Sequence, residues 1–291
     1  MREKKMNGAP TDAATVILLR SRSGTGEDDL EVLMVLRHRK SSFVPGYYVF
    51  PGGVIDPGDY EADAERFVRG LNREEATRVL NDMSRPEKAL GAWVAAVRET
   101  FEEVGILLAE NENGVPAAIQ TDEERRRFSD YRRRLIERKI PFVQILRDEK
   151  LFLPLYRLHY FSHWITPEGF PLRYDVRFFV AECPAGQSVS HDGVELTKHV
   201  WLRPKDALEQ YHQGRLDMVL PQVMTLQDIR SFKTPRQVME NARRRHISAT
   251  LTKMLRLDGR EVEVMPDGTV YENRPPVYPR PDEEDPEKNS S

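Results

Sequence analysis

Residues 13–20, AATVILLR, and 30–37, LEVLMVLR, are nearly continuous apolar runs rich in β-branched residues, separated by SRSGTGEDD. Two such runs around a Gly/Asp-rich loop predict a β-hairpin. YYVFPGGV, 47–54, predicts another strand, ended by Pro51 and the Gly52–Gly53 pair. From residue 60 to 104 the spacing turns helical, with an interruption at NDMSRPE. There Ser84 and Glu87 have capping-box spacing around Pro86, so a helix is expected from about Arg85 to Val104, closed by Gly105. At about 100° per residue, Leu90, Trp93, Val94, Val97, Phe101 and Val104 form one stripe of that helix. Glu99, Glu102 and Glu103 fall nearly opposite, so one face is expected to be buried and the other to present three carboxylates.

Further along, residues 122–149 read as two charged helices broken before Pro141. Strands are expected at 153–164, 173–182 and 198–202. RPKDALEQYHQG, LPQVMTLQDIRSF and TPRQVMENARRRH then predict three helices, the first ended by Gly214 and the last capped by Thr234 with Pro235 behind it. REVEVMPDGTVYEN predicts a hairpin turning at Asp267–Gly268, and the proline- and acid-rich tail from Arg274 predicts disorder. Strands mixed with helices, without regular βαβ alternation, indicate an α+β domain with helical additions.

The acidic stripe poses a physical problem. Like charges at i, i+3 and i+4 cost roughly 0.2–0.5 kcal/mol per pair. Acids in a last helical turn also oppose the dipole, at roughly 0.3–1 kcal/mol each. A cation outside the helix would offset both, and clustered carboxylates suit Mg²⁺ or Mn²⁺, which take oxygen ligands and substrate phosphates. A charged run of this kind is in general more often a solvated face. Two neighbours favour the metal: Gly52 and Gly53 let backbone approach an ion or phosphate, and Arg98 can pair with a carboxylate or hold a phosphate oxygen.

Composition narrows the function class. The formal charge of −3 with 31% charged residues excludes a global basic field for nucleic acid, and the arginines at 125–127 and 132–134, interspersed with acids, read as helix surface. A single cysteine, Cys183, excludes an internal disulfide and a cysteine-rich zinc site. No signal-like or membrane-length apolar run is present, so a cytoplasmic protein without membrane partners is expected, as monomer or homodimer.

GGVIDPGD followed by RETFEEVGI resembles the signature of the Nudix hydrolases, G-x5-E-x7-R-E-U-x-E-E-x-G-U with U apolar. Gly53, Arg98, Glu99, Glu102, Glu103, Gly105 and Ile106 match it; Asp59 stands in place of the first glutamate and Thr100 in place of an apolar residue. The seven-residue spacer is replaced by residues 60–97, 31 residues more. That interruption, with FVPGYYVFPGGVIDPGD, HWITPEGFPLRYDVRFFVA and VWLRPKDAL, resembles the acyl-coenzyme A diphosphatase subgroup over most of residues 13–230. The resemblance implies a Nudix α/β/α sandwich with a mixed sheet over residues 12–230, after a flexible N-terminus. It implies helical insertions at 60–90, inside the box, and at 110–150, and a helical C-terminal extension, with 231–273 expected as helix and hairpin.

It also implies divalent-metal-dependent hydrolysis of a P–O–P bridge, with coenzyme A or acyl-CoA as substrate and Mg²⁺ or Mn²⁺ as cofactor. Gly52 would offer a carbonyl to the metal, Glu99, Glu102 and Glu103 would bind metal or activate water, and Arg98 would orient them. Glu195 in SHDGVEL would supply a further ligand or the base, ahead of Asp192, with an ordinary solvent loop as the alternative and His191 expected to be exposed and not catalytic. Arg37, Arg39, Lys40 and Gly53 would meet substrate phosphates, with Trp164 and Tyr174 open to stacking an adenine or to core packing. ADP-ribose, NADH or another nucleotide derivative as substrate, and a non-catalytic nucleotide-binding regulator, remain as alternatives.

Overall fold

The computed structural model describes residues 9–22, 30–83, 85–190 and 196–272. The expectations for Ser84, His191, Asp192, Glu195, the hairpin loop at 23–29 and the tail lie outside these residues. The first half comprises β1 (Thr11–Ser21), β2 (Leu30–Arg37), β3 (Tyr48–Val49), β4 (Gly52–Val54), α1 (Ala62–Glu65), β5 (Val68–Arg69), α2 (Arg73–Val79) and α3 (Pro86–Val104). Next come α4 (Asp122–Ile136), α5 (Phe142–Asp148), β6 (Leu153–Pro154), β7 (His159–Ile165), β8 (Tyr174–Glu182) and β9 (Leu196–Leu202). After α6 (Pro204–His212), α7 (Leu220–Ile229) and α8 (Pro235–Ala242) the chain ends in β10 (Ala249–Leu251), β11 (Lys253–Leu257), β12 (Arg260–Val264) and β13 (Val270–Glu272).

The mixed sheet is organised around β1, which is buried at every position from Ala13 to Leu19. Its run is continuous because both faces of the sheet are covered. Ala14, Val16 and Leu18 pack with α3 and its neighbours, whereas Ile17 and Leu19 pack with residues of α6, α7 and α8. β2 divides in the same way, Leu33 and Val35 to one layer and Val32 and Met34 to the other. The result is a three-layer α/β/α sandwich, as expected. β8 runs parallel to β1 from Thr11↔Tyr174 to Leu19↔Glu182, and β2 runs antiparallel to it. β7, beyond β8, is antiparallel to that strand.

Residues 47–54 differ from the expected single strand. β3 pairs with β2 and β4 with β1, so the chain crosses between them at Pro51, which has no N–H to give a ladder. The glycine pair lies within β4 instead of ending a strand. α3 spans nearly the expected residues, with Pro86 at its start and Gly105 at φ +70° beyond its end, a conformation glycine adopts without a Cβ clash. It is not one-faced, however. Ala92, Ala95 and Ala96, off the expected stripe, are buried, and so are Arg98 and Glu103. The sheet covers one side while α2 and α4 cover others, which turns an amphipathic surface helix into a central one.

The insertion inside the box forms α1, β5 and α2 and returns the chain to α3. β5 pairs in parallel with β6, which joins this insertion to the chain following α5. The C-terminal extension is only partly helical. After α8, β10 adds to the main sheet in parallel with β7, and β11, β12 and β13 form a separate antiparallel sheet. β12 and β13 are the expected hairpin, with Gly268 at φ +87°; β10 and β11 were not foreseen. No helix among the described residues is long and apolar enough to cross a membrane.

Phe101 holds α3 against α4, with its ring 6.4 Å from that of Phe128 at 86°. It is 1% exposed. Phe101→Ala is expected to cost about 3–5 kcal/mol, read as a lower urea midpoint at unchanged denaturant slope.

Candidate active site

Arg98, near the end of α3, projects into a cleft of about 980 Å³. Its guanidinium uses every nitrogen. Nε and Nη2 donate to Asp59 Oδ1 and Oδ2 at 2.8 and 2.9 Å, a bidentate pair, and Nη2 also donates to the Val54 carbonyl at 2.8 Å. Nη1 donates to Glu99 Oε1 at 2.8 Å and to Glu102 Oε1 at 3.1 Å. Asp59, shorter by one methylene than the glutamate of the signature, reaches because the 3₁₀ turn Pro57–Asp59 brings its backbone close. Asp59 Oδ2 also accepts from the Asp56 N–H at 2.8 Å, which fixes the turn.

Glu103 takes a different partner: its Oε2 accepts from the Gly52 N–H at 2.8 Å, so β4 and α3 are joined directly. A Cβ on Gly53 would lie 2.5 Å from Glu99 Oε1. The glycine is therefore required for the carboxylate to lie against the strand. At the helix end, Arg132 of α4 donates from Nε to the Glu102 carbonyl at 2.8 Å and from Nη1 to the Ser190 carbonyl at 2.7 Å. Arg132 was expected on the helix surface; it instead brings positive charge to the negative end of α3. Guanidinium groups and a backbone amide thus offset the crowding of three glutamates.

Asp56, Asp59, Glu99, Glu102 and Glu103 all line the cleft beside Arg98. Burial pushes Asp59, Glu99 and Glu102 above the ordinary carboxylate range, with Arg98 opposing it in each case. Glu99 is raised to about 7, and the Glu102 charge adds to the effect. The same charges hold Arg98 firmly protonated despite its burial. Two glutamates share one N–H-bearing nitrogen, leaving hard oxygen donors in excess of protein hydrogen-bond donors. That donor set, held against the strand where only a glycine at 53 leaves room for the Glu99 carboxylate, fits a divalent cation. Among the described residues no three acidic, histidine or cysteine side chains are already arranged around one point. Glu99 and Glu102 each give Arg98 Nη1 a single oxygen, Oε1, so the second oxygen of each is left for an ion, while Glu103 turns to Gly52.

Of the expected substrate contacts, Arg37 and Gly53 line the cleft, whereas Arg39 and Lys40 are exposed and outside its lining. Arg37 is braced by donation to Ser41 Oγ and the Phe43 carbonyl. Trp164 is buried in the cleft wall, and Tyr174 meets Phe43 edge-on at 4.8 Å between ring centroids. Asp56, Phe43, Gln222 and Glu263 also line the cleft and were not anticipated. The proline–glycine turn signal at 57–58 could have drawn attention to Asp56; nothing in the local pattern links Glu263 to a site built from residues 52–103.

The family model described as NUDT19 Nudix domain matches residues 11–230. Acyl-coenzyme A diphosphatase NUDT19 of Xenopus laevis is 31% identical over 230 residues, covering 70% of this chain and 60% of that protein. The protein of the same name from Homo sapiens is 25% identical over 232 residues, covering 70% and 62%. The chain therefore spans about three-fifths of the length of these relatives. A crystal structure of a Nudix hydrolase from Alicyclobacillus acidocaldarius superposes with a TM-score of 0.65 at 26% identity, covering 80% of this chain and 96% of that one.

A carboxyl whose folded value exceeds its unfolded one binds more protons when folded, so its contribution to stability is greatest at low pH and falls as pH rises. For Glu99 the decline should run from about pH 4.5 to about 7. In chelator-treated protein, Glu99→Gln should remove that part of the pH slope of unfolding free energy. A difference between variant and wild type that stays constant across the interval would contradict the assignment.

Proposed function

The chain belongs to the Nudix family, within its NUDT19 branch, and we propose that it hydrolyses the P–O–P bridge of coenzyme A or an acyl-coenzyme A with Mg²⁺ or Mn²⁺. The products are 3′,5′-ADP and an (acyl-)4′-phosphopantetheine. The observation carrying this reading is the surplus of buried carboxylate oxygens around one guanidinium, beside the glycine pair of β4 and inside a large cleft.

Glu99, Glu102, Glu103 and the Gly52 carbonyl are the groups that would hold the cation in this reading. A bound divalent ion neutralises diphosphate charge and lowers the pKa of a coordinated water. Asp59 fixes the guanidinium plane of Arg98 through both oxygens, and Arg98 in turn limits the rotamers open to Glu99 and Glu102. One of Glu99, Glu102 and Glu103 would accept a proton from the attacking water. Arg37 on the wall contacts a substrate phosphate, and the exposed Arg39 and Lys40 attract the polyanion before it enters. Phosphoryl transfer demands mainly such positioning and charge stabilisation. Glu195, outside the described residues, is proposed from the sequence as a further ligand or base.

The test is a hydrolysis panel of coenzyme A, acyl-CoAs, NADH and ADP-ribose with each metal. Turnover of coenzyme A or its acyl esters, abolished by chelator, is expected; turnover of ADP-ribose alone would refute the substrate, and none at all the enzyme. Glu102→Gln and Glu103→Gln should each lower kcat by about 10²–10⁴ with an unchanged circular dichroism spectrum. Retained turnover would remove them from the site.

A further inference from the structure

Away from the carboxylates, the cleft wall contains three polar side chains that are more than nine-tenths buried. Trp164, Gln222 and Glu263 are 7%, 6% and 8% exposed. Among the described residues the Trp164 Nε1–H and the Gln222 Oε1 have no hydrogen-bond partner. The carboxylate of Glu263 has one, the Thr252 hydroxyl at 2.5 Å, which leaves most of its acceptor capacity unused. Buried polar atoms are ordinarily paired, and leaving one unpaired costs about 1–3 kcal/mol. Two such groups and a carboxylate with a single hydrogen bond, on residues that line one cavity, form a site organised for something that enters it.

Their origin is informative. Trp164 lies on β7 and is paired in register with Thr250 of β10; Thr252 follows β10 and donates to Glu263 on β12. Glu263 therefore reaches the cleft by way of the C-terminal extension, beyond the matched residues 11–230. Burial with a single hydrogen bond pushes the Glu263 carboxyl above its ordinary range. The neighbouring wall is aromatic, including Phe178, Tyr174 and Phe43.

We propose that Trp164, Gln222 and Glu263 form a specificity subsite for a neutral group bearing an N–H donor beside a hydrogen-bond acceptor. The indole N–H serves the ligand's acceptor, and the Gln222 carbonyl and Glu263 carboxylate take its N–H. This deepens, and rests on, the coenzyme A reading, whose substrate offers that chemistry twice. One source is the amino edge of adenine; the other is the secondary amides of the pantetheine arm. The C-terminal extension thereby takes part in substrate selection while remaining apart from the reacting phosphates.

Binding of the two half-molecules separates the sources. Calorimetry with 3′,5′-ADP, which has adenine and no amide, and with 4′-phosphopantetheine, which has amides and no adenine, is performed on the full chain, E263Q and W164F. For one half-molecule, Kd should rise about tenfold or more in both variants, while the other stays within about twofold. Weakened 3′,5′-ADP assigns the subsite to adenine, and weakened 4′-phosphopantetheine assigns it to the amide arm. With coenzyme A as substrate, KM should rise with kcat nearly unchanged, and the melting temperature should not fall. Unchanged Kd for both halves, or no binding of either half to wild type, overturns the subsite. Should wild type hydrolyse ADP-ribose and not coenzyme A, the substrate reading falls while the half-molecule titrations still decide the subsite.

Discussion

A guanidinium that is buried cannot shed its proton, so it must be surrounded by acceptors. Arg98 meets this requirement with Asp59, Glu99, Glu102 and the Val54 carbonyl, and the site follows from that one constraint. Two of the acceptors are on the same helix as the arginine, one ends β4 and one lies on the 3₁₀ turn that follows it. The contact therefore fixes the glycine strand against α3 and limits where the glutamates can point. Breaking a buried pair by removing one partner typically costs about 3–5 kcal/mol, because the remaining charge is left uncompensated. The geometry of the candidate site and the stability of the fold are consequently not separable at this position.

The same constraint explains how the box tolerates its long interruption. Asp59 and Arg98 are 39 positions apart, yet they form a bidentate pair with distances of 2.8 and 2.9 Å. What the pair requires is the positions of two chain ends, not the length of the chain between them. α1, β5 and α2 leave after the Pro57–Asp59 turn, and Ala76 and Leu80 pack into the core next to α3 before the chain re-enters it. Entropy of a longer connection grows only slowly with its length, and this one acquires packing of its own.

Legibility in the sequence followed the range of the physics. The hairpin β1–β2, the limits of α3 and the break before Pro141 depend on local spacing, caps and proline, and those signals are written in neighbouring residues. The carboxylates and Arg98 were legible for the same reason, being within six positions of one another. The all-round burial of α3 was not, since Ala95 and Ala96 are equally suited to a solvent face and a close helix contact. Nor was the inward turn of Arg132, whose run of arginines gives every member the same local pattern. β10 escaped notice because three residues, ATL, contain too little alternation to be distinguished from a loop; it is a strand only because β7 offers a free edge.

The cleft has two chemistries, and their separation says what kind of molecule it suits. At one wall, acid in excess of base repels a free polyanion unless a cation mediates, so charge there selects for a bridge that arrives with metal. At another, aromatic rings surround a few polar atoms without a protein partner among the described residues, a wall suited to a flat or amide-bearing neutral group. A small inorganic diphosphate would use only the first wall and leave the buried indole and amide unpaired. A substrate with a diphosphate bridge flanked by neutral, hydrogen-bonding arms engages both. Discrimination of that form is strong, because a ligand lacking the arms forgoes contact and also leaves polar groups in the wall without partners.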